Sequence, residues 1–304
     1  MAKPTIANVA ELAGVSQATV SRALRGATNV TEETRIKVQR AADQLNFTLS
    51  KSASALASGK TMRVILLVSG KLNEWFNSGV LQGVYEELAP VGYDVTPAFI
   101  TDRSELDRFF SQLPKSRNAD AIIISSFQLM PAMRDQLQAI DLPTVGVNVP
   151  AESGYFDASI SIDNSSAMTM AVRLLRSLGH TNIAFCSDYI PADMVYNTSQ
   201  RTQAFADAAQ ANATDGITFS LLTADAHDAP LSKSDLASQL TAKLLSLPER
   251  PTAVCVETDQ VAIALVKELR KQQLNVPEDI SVLGFDDAEI AQAADLSTIR
   301  QEPI

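Results

Sequence analysis

The spacing of apolar positions changes near residue 60. In residues 5–13, Ile6, Val9, Ala10 and Ala13 recur at three- and four-residue spacing, which predicts one helix with a single apolar stripe. The stretch "AGVSQATVSRALRG" (13–26) follows. Gly14 breaks the helix, Val15 plugs a small core, and the Ser16 hydroxyl is suited to cap a second helix over 17–25. That helix buries Ala18 or Val20 together with Ala23 and Leu24, and leaves Gln17, Ser21, Arg22 and Arg25 outside. A third helix starts at "NVTEET". Thr31 caps it, Glu32 and Glu33 favour the positive end of its dipole, and Val38, Ala41, Ala42 and Leu45 form its stripe.

From Met62 onward, short continuous apolar runs alternate with helical patterns. The runs "RVILLVS", "YDVTPAF", "DAIIIS", "TVGVNV", "SISID", "IAFCS", "ITFSLL", "TAVCVE" and "ISVLGF" predict strands. Stretches such as "SGVLQGVYEELAPVG", "SAMTMAVRLLRSLGH", "LASQLTAKLLSL" and "VAIALVKELRKQQL" predict helices between them. Strands apolar on both faces, alternating with helices, indicate parallel sheets covered on each side. There are too many runs for one ordinary sheet, so the expected body is two doubly wound parallel-sheet subdomains joined near residue 160. Ligands of such sheets sit at the carboxyl ends of the strands, in a cleft between the halves.

Composition narrows the function classes. The 304 residues exceed one ordinary core, and 46% hydrophobic with 20% charged residues is the balance of a globular chain rather than a disordered one. No apolar run reaches the length of a membrane span and the first residues carry no signal core, so a cytoplasmic protein without a membrane partner is expected. Cys186 and Cys255 lie inside apolar runs, as buried thiols do. With two histidines and no spaced Cys/His cluster, no metal ligand is expected. No phosphate-binding glycine motif, nucleophile elbow or catalytic constellation is present, so neither an enzyme nor a cofactor is expected.

The formal charge of −10 hides an asymmetry. Residues 1–60 hold eight Lys/Arg against four Asp/Glu, whereas the remainder holds 17 against 31. A small basic head on an acidic body suits binding a polyanion through one end. Helix, glycine turn, helix and supporting helix is the helix-turn-helix layout, whose second helix enters the major groove of duplex DNA. There Arg22 can pair with guanine, Gln17 with adenine, and the Ala18 methyl with a thymine methyl.

The stretch "TIANVAELAGVSQATVSRAL" (5–24) resembles the head of the lactose-repressor (LacI/GalR) family of bacterial transcription regulators, and "SKSASALASGK" (50–60) resembles that family's hinge. The hinge is too short to hold a helix alone in water; taken by itself it also reads as a flexible linker. The resemblance implies a DNA-binding set of Thr5, Ser16, Gln17, Ala18, Thr19, Ser21, Arg22, Asn29, Thr31, Thr34, Leu56 and Ala57, with Leu56 wedged into the minor groove of a pseudo-palindromic operator by a homodimer. The domains implied are a head (1–49), a hinge (50–61) and an effector-binding body (62–304). The body divides into subdomains of about 62–160 and 161–288 and a crossover of 289–304.

In the body, "SLGHTNIAF", "PEDISVLGFDD" and "LSTIRQEP" are similar to the family's sugar-binding portion. The resemblance implies effector contacts from Trp75, Phe76, Phe127, Asn148, Arg201, Thr258, Asp286 and Gln301. Trp75 and Phe76 also read as the anchors of a helix start, and Asp286 as a helix cap, a role that fits Asp287 better. Asn148 stands where the family frequently has Asp, and Thr258 where it usually has Asn. Family members continue past the "TIRQ" stretch, so the body is expected to lack its C-terminal part. The implied function is a repressor of carbohydrate-utilisation genes with a small sugar effector. A corepressor-dependent regulator responding to a nucleoside or other metabolite, or a non-regulatory sugar-binding protein, are the other readings.

Overall fold

The computed structural model describes residues 4–48, 59–116, 118–149, 156–189, 196–226 and 231–303. Two compact units divide the chain, Met1–Met62 and Arg63–Ile304.

The first unit holds helices α1 (Ile6–Ala13), α2 (Gln17–Leu24) and α3 (Glu32–Gln44). Val9, Val20 and Val38 are fully buried at its centre, with Ala10, Ala13, Ala23, Ala41 and Ala42 around them. Ala18 is exposed, so Val20 supplies the inward side chain. Each helix begins on a hydroxyl that accepts a backbone N–H: Thr5 from Asn8, Ser16 from Thr19, Thr31 from Thr34. Gly14 ends α1 at φ 64°, a left-handed conformation that costs glycine little.

In the second unit, sheet one runs in the order β2-β1-β3-β4-β5 and sheet two in the order β10-β9-β8-β6-β7. Sheet one comprises β1 (Arg63–Ser69), β2 (Asp94–Ile100), β3 (Ala121–Ser125), β4 (Thr144–Val147) and β5 (Ala158–Ile160). Sheet two comprises β6 (Asn182–Ser187), β7 (Thr218–Thr223), β8 (Ala253–Val256), β9 (Ser281–Asp286) and β10 (Ser297–Arg300). All the pairings are parallel. Both sheets therefore share one doubly wound order, and each reverses direction beside its first strand.

Helices α4 (Trp75–Leu88), α5 (Arg103–Ser116) and α6 (Pro131–Ala139) connect the strands of the first half. Helices α7 (Asn164–Ser177), α8 (Asn197–Ala211), α9 (Lys233–Leu245), α10 (Asp259–Lys271) and α11 (Glu289–Ala293) belong to the second. Alternate residues of one strand enter different cores. Ile65 and Leu67 of β1 pack with Phe110 and Met133, whereas Leu66 and Val68 pack with Val80. Likewise Ala184 and Cys186 of β6 face Leu240 and Leu265, and Ile183 and Phe185 face Phe205. Both thiols are buried, which pushes their pKa values up and keeps them protonated.

Two features depart from the sequence reading. Residues 297–300, taken as part of a crossover, pair with β9 as a fifth strand. Asp287 does not cap the following helix: the cap position is Ala288, with no side-chain bond, and Asp287 lies 3.8 Å from the Arg300 guanidinium.

Candidate nucleic-acid interface and ligand cavity

The exposed start of α2 carries the base-reading candidates. Ser16, Gln17, Ala18 and Arg22 are exposed, and Thr19 and Ser21 are half-buried. Ala18 and Arg22 stand one turn apart, so they share a face. Arg22 Nε donates to the Ala18 carbonyl at 3.1 Å, which lays the guanidinium along that face. Ser16 has two partners in Thr19, the backbone N–H at 3.1 Å and the hydroxyl at 2.9 Å. Thr5 engages Asn8 in a capping box, and Thr31 meets Thr34 at 2.9 Å between hydroxyls. These threonines thus start helices while presenting exposed or half-buried hydroxyls. Asn29 is exposed in the turn before α3. Leu56 and Ala57 lie outside the described residues.

In the second unit a cavity of ≈ 260 Å³ opens where strands of both sheets end. Ser69 closes β1, Ser126 and Asn148 follow β3 and β4, and Asp188, Glu257 and Asp286 stand at the ends of β6, β8 and β9. Trp75, Phe76, Asn148, Arg201, Thr258, Asp286 and Gln301 all line it, although they are spread over more than 200 positions of sequence. Phe127 does not. Its side chain is fully buried in the core of sheet one with Ile65, Leu67 and Phe110, and only its backbone reaches across, bridging Tyr196. The ring after β3 therefore anchors the strand end, and Ser126 lines the cavity in its place.

Arg201 organises the floor. It is 2% exposed, and its guanidinium carbon lies 3.7 Å from the centroid of the Phe285 ring. Nε donates to Asn164 Oδ1 at 3.3 Å and Nη1 to the Glu257 carbonyl at 2.5 Å, while Asp286 Oδ1 is 3.7 Å away. Burial pulls its pKa down, and the acids Asp286, Glu257 and Asp259 oppose that shift. Asn164 Nδ2 donates to Asn197 at 3.1 Å, and Asn197 Nδ2 donates in turn to Asn148. This relay ties the end of β4 in the first half to α7 and α8 in the second.

Asp286 takes a second partner, since Gln301 Nε2 donates to its Oδ1 at 2.5 Å. Burial is the leading cause that pushes its carboxyl up to about 7, with Arg201 acting against it. Glu257 accepts from the Asp188 backbone N–H at 3.0 Å and is likewise pushed up to about 7 by burial. Gln301 Oε1 and Thr258 Oγ1 are buried without a hydrogen-bond partner. Unpartnered buried oxygens are costly, and here they line a cavity that a ligand can fill.

Several cavity residues escaped the sequence reading: Tyr196, Asn197, Asp188, Lys233 and Glu257. Glu257 had a signal, because it ends an apolar run at the carboxyl end of a strand, where such folds hold ligands. A wider apolar groove of ≈ 550 Å³, lined by Val80, Val84, Ile123, Val147, Ile160 and Pro303 among others, lies against sheet one. Its lining is mainly apolar, with Glu86, Glu87, Asn148, Ser161 and Glu302 also present, whereas the smaller cavity gathers more charged and amide groups and is better suited to orient a polar ligand. No cluster of residues suited to a metal ion occurs among the described residues. No described helix is long and apolar enough to cross a membrane.

A helix-turn-helix head and a two-sheet α/β body with a polar cavity at its strand ends define a regulator class. Residues 5–50 match the bacterial regulatory proteins of the lacI family, and residues 172–303 match the periplasmic binding protein-like domain. The HTH-type transcriptional repressor PurR of Vibrio cholerae is 30% identical over 302 residues, covering 98% of this chain and 86% of that protein. The chain belongs to the lacI family of DNA-binding transcription regulators. The lac repressor dimer bound to operator and an anti-inducer matches with a TM-score of 0.82 at 23% identity, covering 99% of this chain and 88% of that one. A CelR–cellobiose complex matches with a TM-score of 0.65 at 25% identity, with the same coverage.

Proposed function

We propose that this regulator is a repressor whose operator affinity is set by a small, hydroxyl-rich effector, of the sugar class, held in the ≈ 260 Å³ cavity. The observation that carries the effector reading is the convergence of Trp75, Phe76, Arg201, Asp286 and Gln301 on one cavity at the strand ends. An aromatic face packs on the apolar face of a sugar ring, and a carboxylate accepts two hydroxyls. A solved relative is a cellobiose complex, which supports the same class.

DNA contact falls to the exposed α2 residues Gln17, Ala18 and Arg22, with Ser16, Thr19 and Ser21 beside them and Thr5, Asn29, Thr31 and Thr34 flanking. Residues 50–61 are the hinge in this reading, with Leu56 as the minor-groove wedge and Ala57 beside it. The operator is a pseudo-palindrome bound by a homodimer, because two-fold protein symmetry calls for two-fold half-sites. A relative solved as a dimer on its operator supports this arrangement. By linkage, whatever factor the effector takes from operator affinity, DNA takes from effector affinity, typically about 5–150-fold.

A thermal-shift screen against mono- and disaccharides and nucleosides identifies ligands, since a ligand bound only by the folded state raises Tm. Titrating a hit against the operator complex then gives the sign. Release supports an induced repressor. Tightening supports a corepressor-dependent one, and a hit that leaves operator binding unchanged overturns the effector role.

A further inference from the structure

The charges around the cavity are unbalanced. Glu74, Asp188, Glu257 and Asp286 line it against only Arg201 and Lys233. Arg201 is already engaged by Asn164, by the Glu257 carbonyl and by Asp286, and its guanidinium lies on the Phe285 ring. These contacts occupy its Nε and Nη1 and place its charge against Asp286. Glu257 is different. The residue is 5% exposed, its carboxylate accepts one backbone N–H from Asp188, and it makes no ion pair among the described residues. Lys233 lines the same cavity, near enough that its charge lowers the Glu257 pKa, but makes no ion pair with it.

The unpartnered atoms add an acceptor to this lining. Gln301 is 8% exposed, and donation of its Nε2 to the Asp286 carboxylate fixes Oε1 as the free end, a group that only accepts. Thr258 Oγ1 is also buried without a partner, and its hydroxyl can accept or donate. A ligand completing this site must bring an N–H or O–H donor to Gln301 Oε1. An anionic substituent would meet four acids against two bases, a poorer match for the loss of its hydration. A protonated amine is the group best matched to a buried carboxylate beside aromatic faces such as Trp75 and Phe76.

Building on the effector cavity proposed above, we infer that Glu257 is a ligand-recognising carboxylate, and that the effector is a hydroxyl-rich molecule bearing a protonated amine, of the amino-sugar class. Phosphorylated and carboxylated sugars fit this lining less well. The enclosed carboxylate pairs with the ammonium group, the Gln301 and Thr258 oxygens accept hydroxyls or N–H groups, and the aromatic pair covers the ring.

Matched triplets on one scaffold test this with the full-length protein: glucose, glucosamine and glucose 6-phosphate, then the galactose and mannose counterparts, by thermal shift and calorimetry. Expected is a preference for at least one amine over its neutral parent of about tenfold or more, the scale of one charge-assisted hydrogen bond. Each phosphate ester should bind more weakly than its parent. Glu257→Gln keeps an acceptor for the Asp188 N–H, so it should fold and bring amine and parent to within about twofold, the preference being lost with the charge. A phosphate ester that binds better than its parent, a preference unmoved in the variant, or no shift with any amine overturns the inference. Operator binding by the same preparation separates the failures: with specific DNA binding intact, only the effector's chemistry is wrong.

Discussion

Arg201 and Asp286 face each other at 3.7 Å with both side chains almost sealed from water, and neither belongs to the same element as the other. The arginine comes from the second turn of α8, the aspartate from the end of β9, and Gln301 beyond β10 donates to the same aspartate oxygen that faces Arg201. A buried pair of this kind adds little net stability when intact, but leaves an uncompensated charge when one partner is removed.

Arg201→Ala should therefore cost about 3–5 kcal/mol of stability, read as a lowered Tm. That makes it a poor probe of ligand binding. Asp286→Asn preserves an acceptor for Gln301 Nε2 and the shape of the side chain, so it should lower Tm less, although Arg201 then lacks its carboxylate. It should still bind operator while losing the effector response. An unchanged effector response in Asp286→Asn would remove Asp286 from the site.

Gly284 has no room for a side chain. A Cβ there would stand 2.2 Å from Asp259 Oδ1 and 2.8 Å from a Leu296 methyl. Asp259 is itself pinned, accepting the Ala288 N–H at 2.9 Å and the Thr298 hydroxyl at 2.5 Å. Gly284→Ala should destabilise the second half by about 1–3 kcal/mol, as overpacking does. Denaturant unfolding measures it, and a neutral substitution would mean that the Asp259 cluster shifts freely.

In the head, Ser16→Ala removes the cap of α2 and should cost about 1 kcal/mol. Melting of a head fragment followed by circular dichroism checks this. Arg22→Ala touches only an exposed residue and should leave stability alone. It should weaken operator binding by about 1–3 kcal/mol and relax the preference at one base pair in each half-site. Equal loss on every sequence would make Arg22 a phosphate contact instead.

The two raised carboxyls predict a pH dependence. Glu257 and Asp286 stand at about 7 in the folded chain, whereas an unfolded carboxyl titrates near 4, about where model peptides do. Between those values the folded state holds protons that the unfolded state has released, so stability falls as pH rises and levels off above about 7. Glu257→Gln removes one such group, so its Tm should fall less than the wild type's between pH 5 and 7.5. Parallel profiles would show that Glu257 is ionised throughout.

The head was nearly all legible from local chemistry, because caps, glycine break and stripe act within a few residues of one another. The strands were legible for a related reason: burial on both faces leaves continuous apolar runs such as Val64–Val68. Ser297–Arg300 escaped because its exposed, polar ends belong to an edge strand with one neighbour. The cavity was harder. Arg201 and Asp286 entered only through family resemblance, and Asn164, Asn197 and Glu257 not at all, since three-dimensional convergence leaves no periodicity. Phe127 shows the same difficulty. An aromatic after a strand reads alike whether it enters the cavity or, as here, the core behind it.

If the α2 face reads sequence and occupancy of the cavity controls that reading, selection from a random duplex library with the full-length protein, with and without a ligand that raises Tm, will show both. The predicted result is one enriched site with two-fold symmetry, whose affinity shifts by about 5–150-fold on adding the ligand. Equal, salt-sensitive retention of every duplex, or an enriched site indifferent to the ligand, would contradict it.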